Sequence, residues 1–230
     1  MNLQKPFKNL AVAIALLSIT FIGYAQPADV VVLKYQNYTS WFSKTEHIPI
    51  VVEYTLTESM LQCNNRIPRA AKFTPDPNHK DITNLNNDYK NSGYDRGHNM
   101  NADDNKCDAT GMKECFYFSN MTPQPHSFNA GRWEDLEKLE RMDAMKYEKV
   151  IVTIGSIGKF ETIGTDNAVV VPKFMWKVIY IPSQRKYNAY MFPDKDNVTE
   201  PLESYKVDLS HIEQQAGITF TNGKFEFDKD

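Results

Sequence analysis

The residues best suited to chemistry gather between Tyr94 and Arg141: His98, Asn129, Glu137 and Arg141, with Arg96 two places before the histidine. An imidazole with the ordinary pKa of about 6.5 is largely neutral at pH 7, so it can take a proton from water. Guanidinium forks match pairs of anionic oxygens and spread their charge. Asn129, Glu137 and Arg141 are eight and four positions apart. On a helix of about 3.6 residues per turn they therefore lie near one stripe. The combination suits proton transfer beside a bound oxyanion. His47, His79, His126 and His211 lack such company and suit capping or packing.

Several elements must position these groups. A helix is expected from Gly131 to Tyr147, where Trp133, Leu136, Leu139 or Glu140, Met142 and Met145 recur at about three-residue steps. Leu136 and Met142 should point into the core, and Glu134, Asp135 and Glu140 should be solvated. The apolar run CFYFSN reads as a buried strand after a polar excursion from Asn99 to Glu114. DVVVLKYQNYTSWFS and IPIVVEYTL read as two paired strands, and Asn64 to Ser92 as a long surface loop. KVIVTIGSIG, NAVVVPKFMWKVIYIP and KYNAYMFP give three more strands, and a short helix from about Tyr205 to Gln215 stops at Gly217. The fold class expected is α+β, with a central antiparallel sheet and flanking helices.

A chain of 230 residues can bury one sizeable core, and no repeat or linker divides it. Residues 1–25 read as a signal peptide: Lys5 and Lys8 precede NLAVAIALLSITFIGYA, and Gly23 and Ala25 suit a peptidase. The remaining 26–230 are expected to form one domain in a secreted or periplasmic protein. In an oxidising compartment three cysteines leave at least one unpaired. Cys107 and Cys115 flank a short loop and are the preferred disulfide; a zinc site with His98 lacks the usual ligand spacing. The formal charge is −3, and losing two lysines makes the mature chain −5, from −3 − 2. That disfavours a stable nucleic-acid binder more than an enzyme with a local basic cleft.

Three motifs, YDRGH at 94–98, FSNMTPQ at 118–124 and FNAGRWEDLE at 128–137, resemble in order and spacing the DNA/RNA non-specific endonucleases of the ββα-metal class. The likeness covers roughly residues 31–220. It implies a ββα-metal motif and metal-dependent cleavage of DNA and RNA phosphodiesters without sequence preference, leaving 5′-phosphate ends. Attack on a phosphodiester needs a base, a cation on the phosphate and relief for the leaving oxygen. The resemblance assigns His98 as base and Asn129 as the one protein ligand of Mg²⁺, or of Mn²⁺. A hard ion that keeps most of its water fits a single amide oxygen. Glu137 would orient the ion's waters, while Arg96 and Arg141 would contact the scissile phosphate.

Asn120 would hydrogen-bond near the site and fix the catalytic loop or, an equally good reading, satisfy local backbone as a buried amide; Asp95 would hold its own loop. Relatives commonly use an arginine upstream of the motif. Here Arg66, Arg69 and Lys72 are available without a clear match, Arg69 being the first choice. The loop NMNADDN after His98 departs from the proline-containing stretch of relatives. No helix-turn-helix, zinc finger or RNA-recognition signature reads base edges, and no G-x-S-x-G elbow supports a serine hydrolase. A nuclease fold that grips without cutting is the competing reading. Oligomeric state is not readable from the sequence.

Overall fold

The structure, a computed structural model, describes residues 27–228; the expected leader and its cleavage point lie outside them. The run DVVVLKYQNYTSWFS doubles back at Gln36 and Asn37, giving β1 (Val30–Lys34) and β2 (Tyr38–Ser43), followed by β3 (Ile48–Thr57). Two expected strands are therefore three, because two polar residues interrupt the apolar run. The motif segments form β4 (Asp95–His98) and β5 (Met121–Gln124), a separate antiparallel ribbon pairing His98 with Met121. β6 (Lys149–Ile163), β7 (Val169–Ile181) and β8 (Lys186–Pro193) follow as expected, with β9 (Lys206–Val207) at the edge. A seven-stranded antiparallel sheet runs in the order β1-β2-β3-β6-β7-β8-β9. A last hairpin, β10 (Ile218–Thr221) and β11 (Lys224–Phe227), stands apart from it.

Alternation along the central strands serves two layers. Val52, Tyr54, Leu56, Val152, Ile154, Met175 and Ile179 pack against the long helix Glu134–Tyr147. Val51, Trp176 and Val178 meet Ile212, Ile218 and Phe220 of the C-terminal helix Leu209–Ala216 and its hairpin. That helix stops where expected, at Gly217 with φ of 62°. It starts later, since Leu202–Tyr205 is a separate turn and Lys206 and Val207 join the sheet.

Other local expectations need correction. CFYFSN is buried but is no strand: the backbone N–H of Asn120 closes on the Tyr117 carbonyl at 2.9 Å, making a 3₁₀ turn, and the strand begins at Met121. The loop before the motif carries single helical turns at Lys80–Thr83 and Asn86–Tyr89. It is tied down by Asp88, whose carboxylate accepts from the backbone N–H groups of Thr165, Asp166 and Asn167.

The expected disulfide is also different. Cys63 pairs with Cys107, while Cys115 is buried, its thiol donating to the Met112 carbonyl. A helix, Ala109–Glu114, turns Cys115 inward against Ala102, Met112 and Phe116, away from Cys107. A cross-link closing 44 residues is worth about 4 kcal/mol in chain entropy.

The long helix begins earlier than expected. Helical turns at His126–Phe128 and a π-turn at Asn129–Trp133 lead into it, with a kink at Gly131. Its sheet-facing side carries Trp133, Leu136 and Ala144, but also Glu137 and Glu140, so Met142 falls on the opposite side and is 67 % exposed rather than in the core. Glu140, expected in solvent, is fully buried. It accepts from Lys177 Nζ of β7 at 2.6 Å and from the Tyr54 hydroxyl at 2.7 Å. Lys177 shares the helix-facing side with Met175 and Ile179, its ammonium 4.7 Å from the Trp133 ring centre.

Removing one partner of such a pair strands a buried charge at a cost of about 3–5 kcal/mol. Lys177→Met should lower the unfolding free energy in urea by that amount. Adding Glu140→Gln should restore most of it; no recovery in the double variant would contradict the pairing.

Candidate active site

The β4-β5 ribbon and the kinked start of the long helix enclose a cleft of about 410 Å³. Arg69, Arg96, His98, Asn101, Asn129, Glu137 and Arg141 line it, with Phe73 and Tyr94 as apolar walls. Gly97 permits the close ribbon, since a Cβ there would run into the Gln124 side chain across the register. His98 follows at the strand end, only 6 % exposed, its ring 5.4 Å from that of Phe73 and 4.8 Å from that of Phe116. The Trp133 indole N–H donates to the His98 carbonyl at 3.4 Å, tying ribbon to helix. The His98 Nε2 is buried and has no hydrogen-bond partner.

Burial, with Arg69 adding to it and Asp103 opposing, pushes the His98 imidazole down to about 3. The ring is thus neutral at any physiological pH, as a proton acceptor must be. Asn129 sits in the π-turn, a distortion common at functional sites. Its amide N–H donates to Asp95 Oδ2 at 2.9 Å, the same oxygen that meets His126 Nδ1 at 2.8 Å. Asp95 therefore does hold its surroundings. With the amide nitrogen engaged, the amide oxygen of Asn129 is its remaining donor atom for a cation.

Glu137 lies in the same cleft and accepts from the Asn101 amide. Burial foremost, with Lys177, Asn101 and Arg141 opposing and Glu140 reinforcing, pushes its carboxyl up to about 7. Arg141 Nη1 donates to Asp104 at 3.1 Å. Arg96 spreads its guanidinium over the rings of Phe73, Tyr89 and Phe118 at 5.5, 5.6 and 5.9 Å. Its Nε is buried without a partner.

Of the residues expected in the site, His98, Arg96, Asn129, Glu137 and Arg141 converge, and Arg69 joins them, 5.1 Å above the Phe116 ring. Asn120 does not. It is fully buried and clamps the backbone: Met100 N–H donates to its oxygen at 2.9 Å, and its nitrogen donates to the carbonyls of Met100 and Cys115. Its part is to position the chain after His98. Sequence reading missed Asn101, Glu140 and Lys177; Asn101 stood in the polar loop after the motif, and the charged pair had no sequence signal.

Among the described residues no three His, Cys, Asp or Glu side chains are grouped so as to hold a metal ion. One amide oxygen with a carboxylate nearby fits a hard ion that keeps most of its water.

Fold and cleft together are those of the ββα-metal class. Residues 18–227 match the family described as DNA/RNA non-specific endonuclease, and the chain belongs to that family. It is 35 % identical over 168 residues to "Nuclease EXOG, mitochondrial" of Xenopus laevis, covering 65 % of this chain and 47 % of that protein. It is 31 % identical over 208 residues to "Nuclease C1" of Cunninghamella echinulata var. echinulata, covering 82 % and 81 %. A solved chain from the EndoG/EndoGI complex, a study of EndoG inhibition, superposes with a TM-score of 0.77 at 28 % identity, covering 84 % of this chain and 86 % of that one. This chain spans about half the length of the frog relative. The expectation of a secreted or periplasmic protein is overturned, because several relatives, the frog nuclease included, are named mitochondrial. No helix among the described residues is long and apolar enough to cross a membrane.

The two shifted groups give opposite pH signatures. Below its ordinary value of 6.5, His98 binds a proton in the unfolded chain but not in the folded one until about pH 3. It therefore erodes stability as pH falls through that window. Glu137 keeps its proton in the fold up to about pH 7, against an ordinary 4.5, and erodes stability as pH rises between them. In urea unfolding from pH 4 to 8, His98→Ala should flatten the acid-side loss and Glu137→Gln the loss towards neutrality. Profiles parallel to wild type would contradict the assigned burial.

Proposed function

We propose that residues 26–230 act as one metal-dependent endonuclease domain that hydrolyses DNA and RNA phosphodiesters without sequence preference. The observation that carries this is a neutral, partnerless imidazole sharing one cleft with an open amide oxygen and three arginines. His98 takes a proton from the attacking water, whose oxygen bonds to phosphorus as the bond to the 3′ oxygen breaks. The products are a 5′-phosphate and, once the leaving oxygen has taken a proton from a second water, a 3′-hydroxyl. Arg69, Arg96 and Arg141 meet the phosphate oxygens and spread the charge that builds in the transition state.

Asn129 would hold Mg²⁺, with Mn²⁺ as a substitute, and Glu137, braced by Asn101, would accept hydrogen bonds from its hydration shell. When bound, the cation polarises the phosphate and steadies the leaving oxygen. The arrival of an anionic phosphate raises the affinity of His98 for the proton it removes. The arginines of the cleft suit phosphate, which DNA and RNA share, and that fits both nucleic acids as substrates.

Purified protein with plasmid DNA or with RNA should show Mg²⁺-dependent cleavage that EDTA abolishes. His98→Ala should lower kcat/KM by about 10²–10⁴-fold, the usual worth of a general base. Cleavage by that variant at the wild-type rate would remove His98 from its role.

A further inference from the structure

Beside the cleft, and sharing Asp103 and Arg141 with it, lies a larger groove of about 1040 Å³. One wall is the outer face of the long helix, with Lys138, Met142, Met145 and Lys146 at three- and four-residue steps. The other wall carries Arg66 and Lys106 on the two segments joined by the Cys63–Cys107 disulfide. The backbone N–H of Ile67 donates to the Lys106 carbonyl at 2.6 Å, which fixes that wall further. Its cations outnumber the acids Asp103 and Asp143. Arg66 forms no ion pair among the described residues. The pairs of Lys106 with Asp103 and of Lys138 with Glu134 are solvent-exposed, so a phosphate can compete for them.

The floor is apolar. Met142 is 67 % and Met145 41 % exposed on a face where neither supports the core. A basic rim above an exposed thioether floor, continuous with a cleft built for one phosphodiester, has the character of a track for more of the same polymer. We propose that this groove binds a single polynucleotide strand on one side of the scissile phosphate, phosphates towards Arg66 and Lys146 and bases against Met142 and Met145. From Lys138 to Lys146 the helix rises about 12 Å. That covers about three to four nucleotides at roughly 3.4 Å each. The inference rests on the nuclease reading and adds to it a site for unpaired strands outside the reacting groups.

The test is fluorescence anisotropy of a labelled single-stranded 20-mer bound to the full chain in EDTA, so that no cleavage is needed. Arg66→Ser with Lys146→Ser should weaken binding about tenfold and reduce the slope of log K against log salt by about 1.4, two phosphate contacts at roughly 0.7 each. Met142→Ser with Met145→Ser, both surface changes, should weaken it about threefold with the salt slope unchanged, and should spare a blunt duplex. Cleavage of a dinucleotide by both variants should equal wild type. Unchanged affinity and slope in the charge variant would overturn the groove, and equal losses on duplex in the methionine variant would overturn its single-strand character. Failure of the nuclease reading shows separately, as no cleavage of plasmid DNA or of RNA by wild type in any divalent metal.

Discussion

The contact between Lys177 in the middle of the sheet and Glu140 on the long helix sets where everything functional sits. Both side chains are fully excluded from water, so neither charge tolerates a shift that lengthens their 2.6 Å contact. The Tyr54 hydroxyl and the Trp133 ring complete the environment of the pair. The helix is thereby held in rotation as well as in distance, and Glu137 and Arg141, one turn apart from each other, are aimed together. Hydrophobic packing alone would resist translation of the helix more than its rotation. A buried charge pair adds the directional constraint that a cleft needs.

The facing half is held by hydrogen bonds. Asn120 binds both backbone groups of Met100, two residues after His98, Trp133 binds the His98 carbonyl, and Asp95 joins the ribbon to Asn129. Base and amide are therefore fixed by the same few residues that join ribbon to helix. The electrostatics follow from this packing. Walls of Phe73 and Phe116 keep the imidazole neutral, while burial, reinforced by Glu140, pushes the Glu137 carboxyl up to about 7. The three arginines of the cleft stand beside Asp95, Asp103 and Glu134, so the charge there is mixed rather than basic.

The three strands β6 to β8, the stop at Gly217 and the placing of five of the six expected site residues in one cleft were legible because period, turn chemistry and motif spacing are local. What was not legible depended on contacts distant in sequence. Period counting placed Met142 in the core, because two carboxylates occupy helix positions that a pattern reads as polar and outward; Lys177 is what permits them inside. Nearness along the chain suggested Cys107 with Cys115, yet the partner of Cys107 lies 44 residues away. Asn120 was in the motif and close to the chemistry in sequence, but its side chain serves the backbone. A motif residue required for a fold and one required for a reaction look alike in one dimension.

One hydrated divalent ion is proposed to bind at Asn129, across the cleft from His98, which is not itself a ligand. Mn²⁺ binding followed by electron paramagnetic resonance tests this directly, without substrate. The account predicts one ion per chain for wild type and for His98→Ala, with binding lost or at least tenfold weaker in Asn129→Ala. Undiminished binding in the asparagine variant, or loss of the ion with the histidine, would contradict it.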